Sequence, residues 1–242
     1  MQIVTTKLNT LLLVAFVLIF TACRTDRSTE DLRQTQEAAG SENARAKMAK
    51  RAFKASFSTW YRFHPLEQPQ PVAVGGTAYL GIIAIPGGGE GQATHLGKAS
   101  TLFNQTGYVL PPDFSTVLGT VAAPVMSIAT YPVSGTPLPM IQNGDFNGIS
   151  PLLATLQVPT MVGAFPVSTL IYNKKNEALF LSVVSGSQTA IQGTTATING
   201  KVLIVGGTAK FQGATGELTY VITFDIANPN DASYTLEGWI QY

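Results

Sequence analysis

Nine prolines, at positions 111, 112, 124, 132, 137, 139, 151, 159 and 166, bar any long helix from the middle of this chain. Each removes a backbone donor and clashes with the turn before it. Around them, short apolar or alternating runs recur at 55–63, 72–85, 116–131, 178–184, 202–205, 218–226 and 233–242, punctuated by Gly, Pro and Asn. That is the pattern of many strands joined by turns. The run TYVITF at 219–224 is β-branched or aromatic throughout, which suits a pleated surface and disfavours a helix. An all-β domain over 55–242 is therefore expected. So many strands must hide their edges, and closure into an antiparallel barrel is the commonest solution. The proline-dense region 109–166 is expected to form edge strands and long loops, as a lid or an insertion.

The N-terminal part is different. Lys7 precedes the unbroken apolar run LLLVAFVLIF at 11–20, which has the length of a signal-peptide core and is too short for a hydrocarbon layer of ~30 Å. Thr21 and Ala22 then lead into Cys23, the one cysteine of the protein. The stretch 20–23 resembles the lipobox of bacterial lipoproteins, with Phe20 where Leu is usual. The resemblance implies a signal peptide over 1–22, cleavage before Cys23 and acylation of that residue. Two acyl chains such as palmitate anchor stably at ~0.8 kcal/mol per buried CH₂. Membrane lipid is thus an expected partner, and the bacterial envelope outside the cytoplasm the expected location. A lone cysteine also excludes an intrachain disulfide framework.

Residues 23–54 read as a tether. Eight basic and five acidic side chains lie in 24–54, 13 of the 29 charged residues of the chain, with almost no aliphatic surface before Phe53. Such a segment cannot offset the entropy of ordering it. A short helix over 42–53 is expected, and its basic cluster at 45–54 is better read as a solvated face than as a contact for anionic head groups. From 55 onward six basic and nine acidic residues give 6 − 9 = −3. No basic, aromatic-laced face for nucleic acid is expected.

One stretch is more specific. Gly206, Gly207, Thr208, Ala209, Lys210, Phe211, Gln212, Gly213, Ala214, Thr215 and Gly216 follow one apolar run and precede another. The glycines permit a tight connection, and Phe211, alone among small residues, is expected to plug a barrel end. This stretch resembles the glycine-rich motif of dirigent-like and allene-oxide-cyclase-like barrels, which have Gly where this chain has Ala209. The runs THLGK at 94–98 and YTLEGWI at 234–240 are similar to the same relatives. The resemblance implies an antiparallel, calycin- or dirigent-like barrel of about eight strands with an apolar interior, either packed solid or holding one small ligand. The catalytic residues of such relatives match no position here, so none is carried over.

Individual side chains offer little chemistry. His95 and His64 have no Cys, His or Asp at a metal-ligand or acid–base spacing, so no metal or cofactor is expected, and His95 is read as a structural hydrogen-bonding residue. Glu217 could face the barrel mouth as a weak ligand-site candidate beside His95, but solvent exposure at a strand start fits better. Asn143, Gly144 and Asp145 signal a turn first. PGGGEG at 86–91 lacks the ending of a phosphate loop and is expected to be a flexible connection. Asn104, Gln105 and Thr106 fit a glycosylation acceptor, which means little in a bacterial-type lipoprotein.

Three functional classes stay open. The first is a non-catalytic envelope lipoprotein binding a small apolar ligand or an envelope partner. The second is a cyclase- or isomerase-like enzyme acting on an apolar substrate, which needs a buried acid or histidine in the lumen. The third is a structural module with a filled barrel.

Overall fold

The computed structural model describes residues 49–109, 117–133, 140–225 and 227–242. Cys23 and the stretches expected to form a signal peptide and a tether, up to residue 48, lie outside the described residues. In chain order the strands are β1 (Arg51–Tyr61), β2 (His64–Val74), β3 (Thr77–Ala93), β4 (Gly97–Val109), β5 (Gly119–Ala122), β6 (Met161–Val162), β7 (Phe165–Pro166), β8 (Thr169–Tyr172), β9 (Ala178–Gln192), β10 (Thr195–Gly207), β11 (Thr215–Asp225) and β12 (Ala232–Gln241). The pairings β1–β12–β11–β10–β9–β8–β4–β3–β1 are antiparallel and return to their start. The protein is a closed eight-strand β-barrel.

Alternation decides what fills it. Phe53, Ala55, Phe57, Thr59 and Tyr61 point inward from β1, and Leu218, Tyr220, Ile222, Tyr234, Leu236 and Ile240 from β11 and β12. Large rings stand opposite glycines: Phe57 pairs with Gly91, Phe103 and Tyr61 with Gly87, and Tyr220 with Gly200. This big-against-small register packs a small barrel without voids. The segment 86–91 is therefore not a connection. It is the middle of β3, and a Cβ at Gly89 or Gly91 would collide with the carbonyl oxygens of Ser58 or Ser56 in β1. The spacing reads as a loop because glycine carries no strand propensity, yet here close approach of two backbones demands it.

Three further expectations need correcting. The run 72–85 is a hairpin, with Gly75 and Gly76 at φ of 57° and 82° between β2 and β3, angles suited to a two-residue turn. The run 116–131 yields a strand only over β5. Pro124 ends the pairing, and a 3₁₀ turn (Val125–Thr130) follows, burying Val125 and Ile128. The boundary at residue 55 falls inside β1: Arg51 already pairs with Ile240, and Phe53 is fully buried. The end of the expected helix over 42–53 is thus strand. No helix among the described residues is long and apolar enough to cross a membrane.

The proline-rich region is an insertion on a side wall. One strand position, between β4 and β9, is shared by two short strands. β8 fills it near Ser100 and β5 near Gln105. The chain between them loops out, forms helix α1 (Ile149–Thr155) and buries Val125, Leu153, Leu156 and Val167 against Leu102, Leu170 and Phe180. Pro151 is tolerated because it sits in the first turn of α1. Asn104 holds the break. Its N–H donates to Ser168 O, its O accepts from Ala123 N, and its Nδ2 donates to Pro124 O and Tyr131 Oη. Fully buried in this way, Asn104 is no glycan acceptor.

Candidate functional site

The two ends of the barrel differ. At the end where β1 begins, the turns 94–96, 173–177 and 208–214 meet. Lys210 Nζ donates to His95 O at 2.8 Å and pairs with Glu177 at 3.2 Å, Asn173 Nδ2 donates to Leu96 O, and Thr208 Oγ1 donates to Asn176 O. Asn173 Nδ2 also donates to Glu177 Oε2 at 2.7 Å, and this bond first, with Lys210 adding to it, pulls the Glu177 carboxyl below its usual range. Phe211 lies beneath them, fully buried, with its ring edge-on to Tyr242 at 4.8 Å. Ala209, where the resembled motif has Gly, adopts φ of 51°, a left-handed conformation that favours glycine.

At the other end the seal is incomplete. Tyr61, Phe63, Ile85, Phe103, Gln105, Thr120, Ile198, Ile222, Phe224 and Ala232 line an apolar recess of about 30 Å³, room for one water. Its rim is aromatic, with Tyr61 lying 5.3 Å from Phe63 and 5.0 Å from Phe224 between ring centroids. Phe63 and Phe224 are only half-buried. Tyr61 Oη donates to Asp225 O, and burial, with Asp225 adding to it, pushes its phenol up to about 12. On the lining, Thr120 Oγ1 lies 3.3 Å from Tyr220 Oη. Gln105, 2% exposed, has no partner for its Nε2. An unpaired buried donor costs roughly 1–3 kcal/mol, so this amide is poised for an acceptor.

The insertion is pinned at this same end. Arg62 grips Asp145 through Nε–Oδ2 at 2.7 Å and Nη2–Oδ1 at 2.9 Å, both side chains nearly buried, and its guanidinium lies 5.0 Å from the Trp60 ring. Trp60 in turn packs on Phe146. A wider hollow of about 550 Å³ on the outer wall is an open groove lined by Ser56, Gln92, Thr219, Thr235 and the exposed Lys54–Glu237 pair. Its polar lining is solvent-exposed, and it carries less chemistry than the recess.

The chain matches no family model, no curated protein and no solved structure. The reading of the site rests on its own geometry.

The residues singled out in the sequence are dispersed. His95 sits in the turn between β3 and β4 with φ of 70°, its Nε2 3.1 Å from Ala52 O, far from the recess. Glu217 is exposed on β11, 3.4 Å from Lys201, and faces no mouth. His64 stacks on Tyr131 at 4.6 Å. Gly206, Gly207, Gly213 and Gly216 frame the Phe211 plug. Among the described residues no three His, Cys, Asp or Glu side chains could hold a metal. Sequence reading missed Gln105 and Arg62. The signal for the first was a run of three polar residues, 104–106, between apolar ones in a strand, and for the second a lone cation between 55 and 97.

Proposed function

We infer that this chain is a lipid-anchored protein of a bacterial cell envelope, held at acylated Cys23, whose barrel binds a small apolar molecule without transforming it. The dirigent-like resemblance is kept as part of that reading. The observation that carries it is the unpaired Gln105 amide on an otherwise apolar recess. Such a site recognises a molecule that is mostly hydrocarbon and bears one acceptor oxygen, because the oxygen meets Nε2 while the rest is desolvated. Entry requires Phe63 and Phe224 to swing outward, which their half-exposed positions allow. A cyclase-like role would call for a carboxylate or imidazole beside the ligand. The titratable group on the recess is instead Tyr61, held protonated, while His95 and His64 lie elsewhere.

One observation favours the structural-module reading: Phe57, Phe103, Tyr220 and Tyr234 fill the barrel below the recess. Native mass spectrometry of the mature protein purified from its own host separates the two. A co-purifying small molecule, lost in Gln105→Leu, supports binding. A bare mass for the wild-type protein, with no stabilisation by host lipid extract, overturns it in favour of the filled barrel.

A further inference from the structure

The net charge of the domain hides a strong segregation. Of the nine basic residues between 49 and 242, seven (Lys50, Arg51, Lys54, Lys98, Lys174, Lys175 and Lys210) lie at the sealed end, on the strand ends and turns around Phe211. The acids among them, Glu177, Glu217 and Glu237, are each paired with a lysine, Glu217 with Lys201 further along β10. At the mouth end Arg62 is consumed by Asp145, and the remaining charges among the described residues, Glu67, Asp225 and Asp231, are acidic. The barrel is therefore positive at one end and negative at the other.

Two more observations fall on the positive end. Trp239 and Tyr242 are partly exposed there, with Lys50 Nζ 3.9 Å from the Trp239 ring centroid and Arg51 4.9 Å from that of Tyr242. Half-exposed Trp and Tyr beside cations are the side chains that sit at a membrane–water boundary. The chain also enters the barrel at this end, through Ala49, Lys50 and Arg51.

We propose that the sealed end is a docking face for anionic lipid head groups, which turns the recess away from the bilayer. The proposal rests on the lipid-anchor reading for its source of proximity. Clustered lysines gain attraction within a Debye length of an anionic surface, and the acidic mouth end is repelled by the same field.

The protein has two tryptophans, Trp60 at the mouth end and Trp239 at the sealed end. Full-length protein matured in its host is reconstituted as Trp60→Phe and as Trp239→Phe, and fluorescence is quenched with a head-group nitroxide lipid. In vesicles with about 30 mol % phosphatidylglycerol at low salt, Trp239 is expected to be quenched at least about threefold more than Trp60. That difference should collapse in about 0.5 M NaCl and in the variant Lys98→Glu/Lys174→Glu/Lys175→Glu. Equal quenching of the two tryptophans, or the same bias on neutral phosphatidylcholine vesicles, overturns the docking face. Flotation reads the anchor separately. Protein that leaves the vesicles at high salt has lost the lipid-anchor reading, and biased quenching at low salt then still supports docking.

Discussion

Phe211 lies fully buried under the ring of Tyr242 at one end of the barrel, while Phe63 and Phe224 stand half exposed over Tyr61 at the other. Both ends use aromatic side chains, but what holds them differs. Phe211 is carried on a turn locked by Thr208 and Lys210 to two neighbouring turns, which Asn173 ties to each other. The rings at the mouth are carried on strand ends, and behind them an amide is left without a partner. Packing closes an end when side chain and backbone are both satisfied. Where an unpaired polar group borders an unfilled recess, as Gln105 does, the same kinds of residue leave a site.

The largest effect should come from the plug. Phe211→Ala is expected to cost about 3–5 kcal/mol in a denaturant titration, against about 1 kcal/mol for half-exposed Phe224→Ala. Equal losses would erase the distinction between the ends. Next is the latch of the insertion. Arg62→Met leaves Asp145 buried and uncompensated and should cost about 3 kcal/mol, most of it recovered in Arg62→Met/Asp145→Leu. A double variant as unstable as the single would show that the pair is required for more than its charge.

How much of this was legible follows from what sequence reports. The barrel was, because period-2 burial in β1, β11 and β12 is written in alternation. The plug was, because one large apolar residue among glycines has few places to go. The glycine run of β3 was misread, since a demand for close backbone approach looks the same in sequence as freedom. Charge polarity was invisible, since Lys98, Lys174, Lys175 and Lys210 are scattered along the chain and gathered only by topology. Gln105 was overlooked because a missing partner is a property of space.

Alkali offers a further contrast. Burial pushes the phenols of Tyr61 and Tyr220 up to about 12 from an ordinary 10.0. The folded state then keeps protons that the unfolded state has released. Stability should be full below about pH 10 and fall as pH rises from there to about 12. Tyr220→Phe should flatten that fall in urea titrations taken across this window, and an unchanged slope would remove Tyr220 from the account. A smaller effect is expected at the plugged end: Ala209→Gly relieves the left-handed backbone and should gain about 0.5 kcal/mol in thermal or urea unfolding. A loss there would mean the methyl group packs usefully despite the strain.

The central claim is that Gln105 faces the recess with an unmet hydrogen bond kept for a ligand. Denaturant unfolding of ligand-free Gln105→Leu against wild type tests it directly. Removing an orphaned donor should leave the barrel as stable or about 1 kcal/mol more stable, while ligand capture disappears. A loss of about 1 kcal/mol or more would show that the amide already has a structural partner, and the recess would be no binding site.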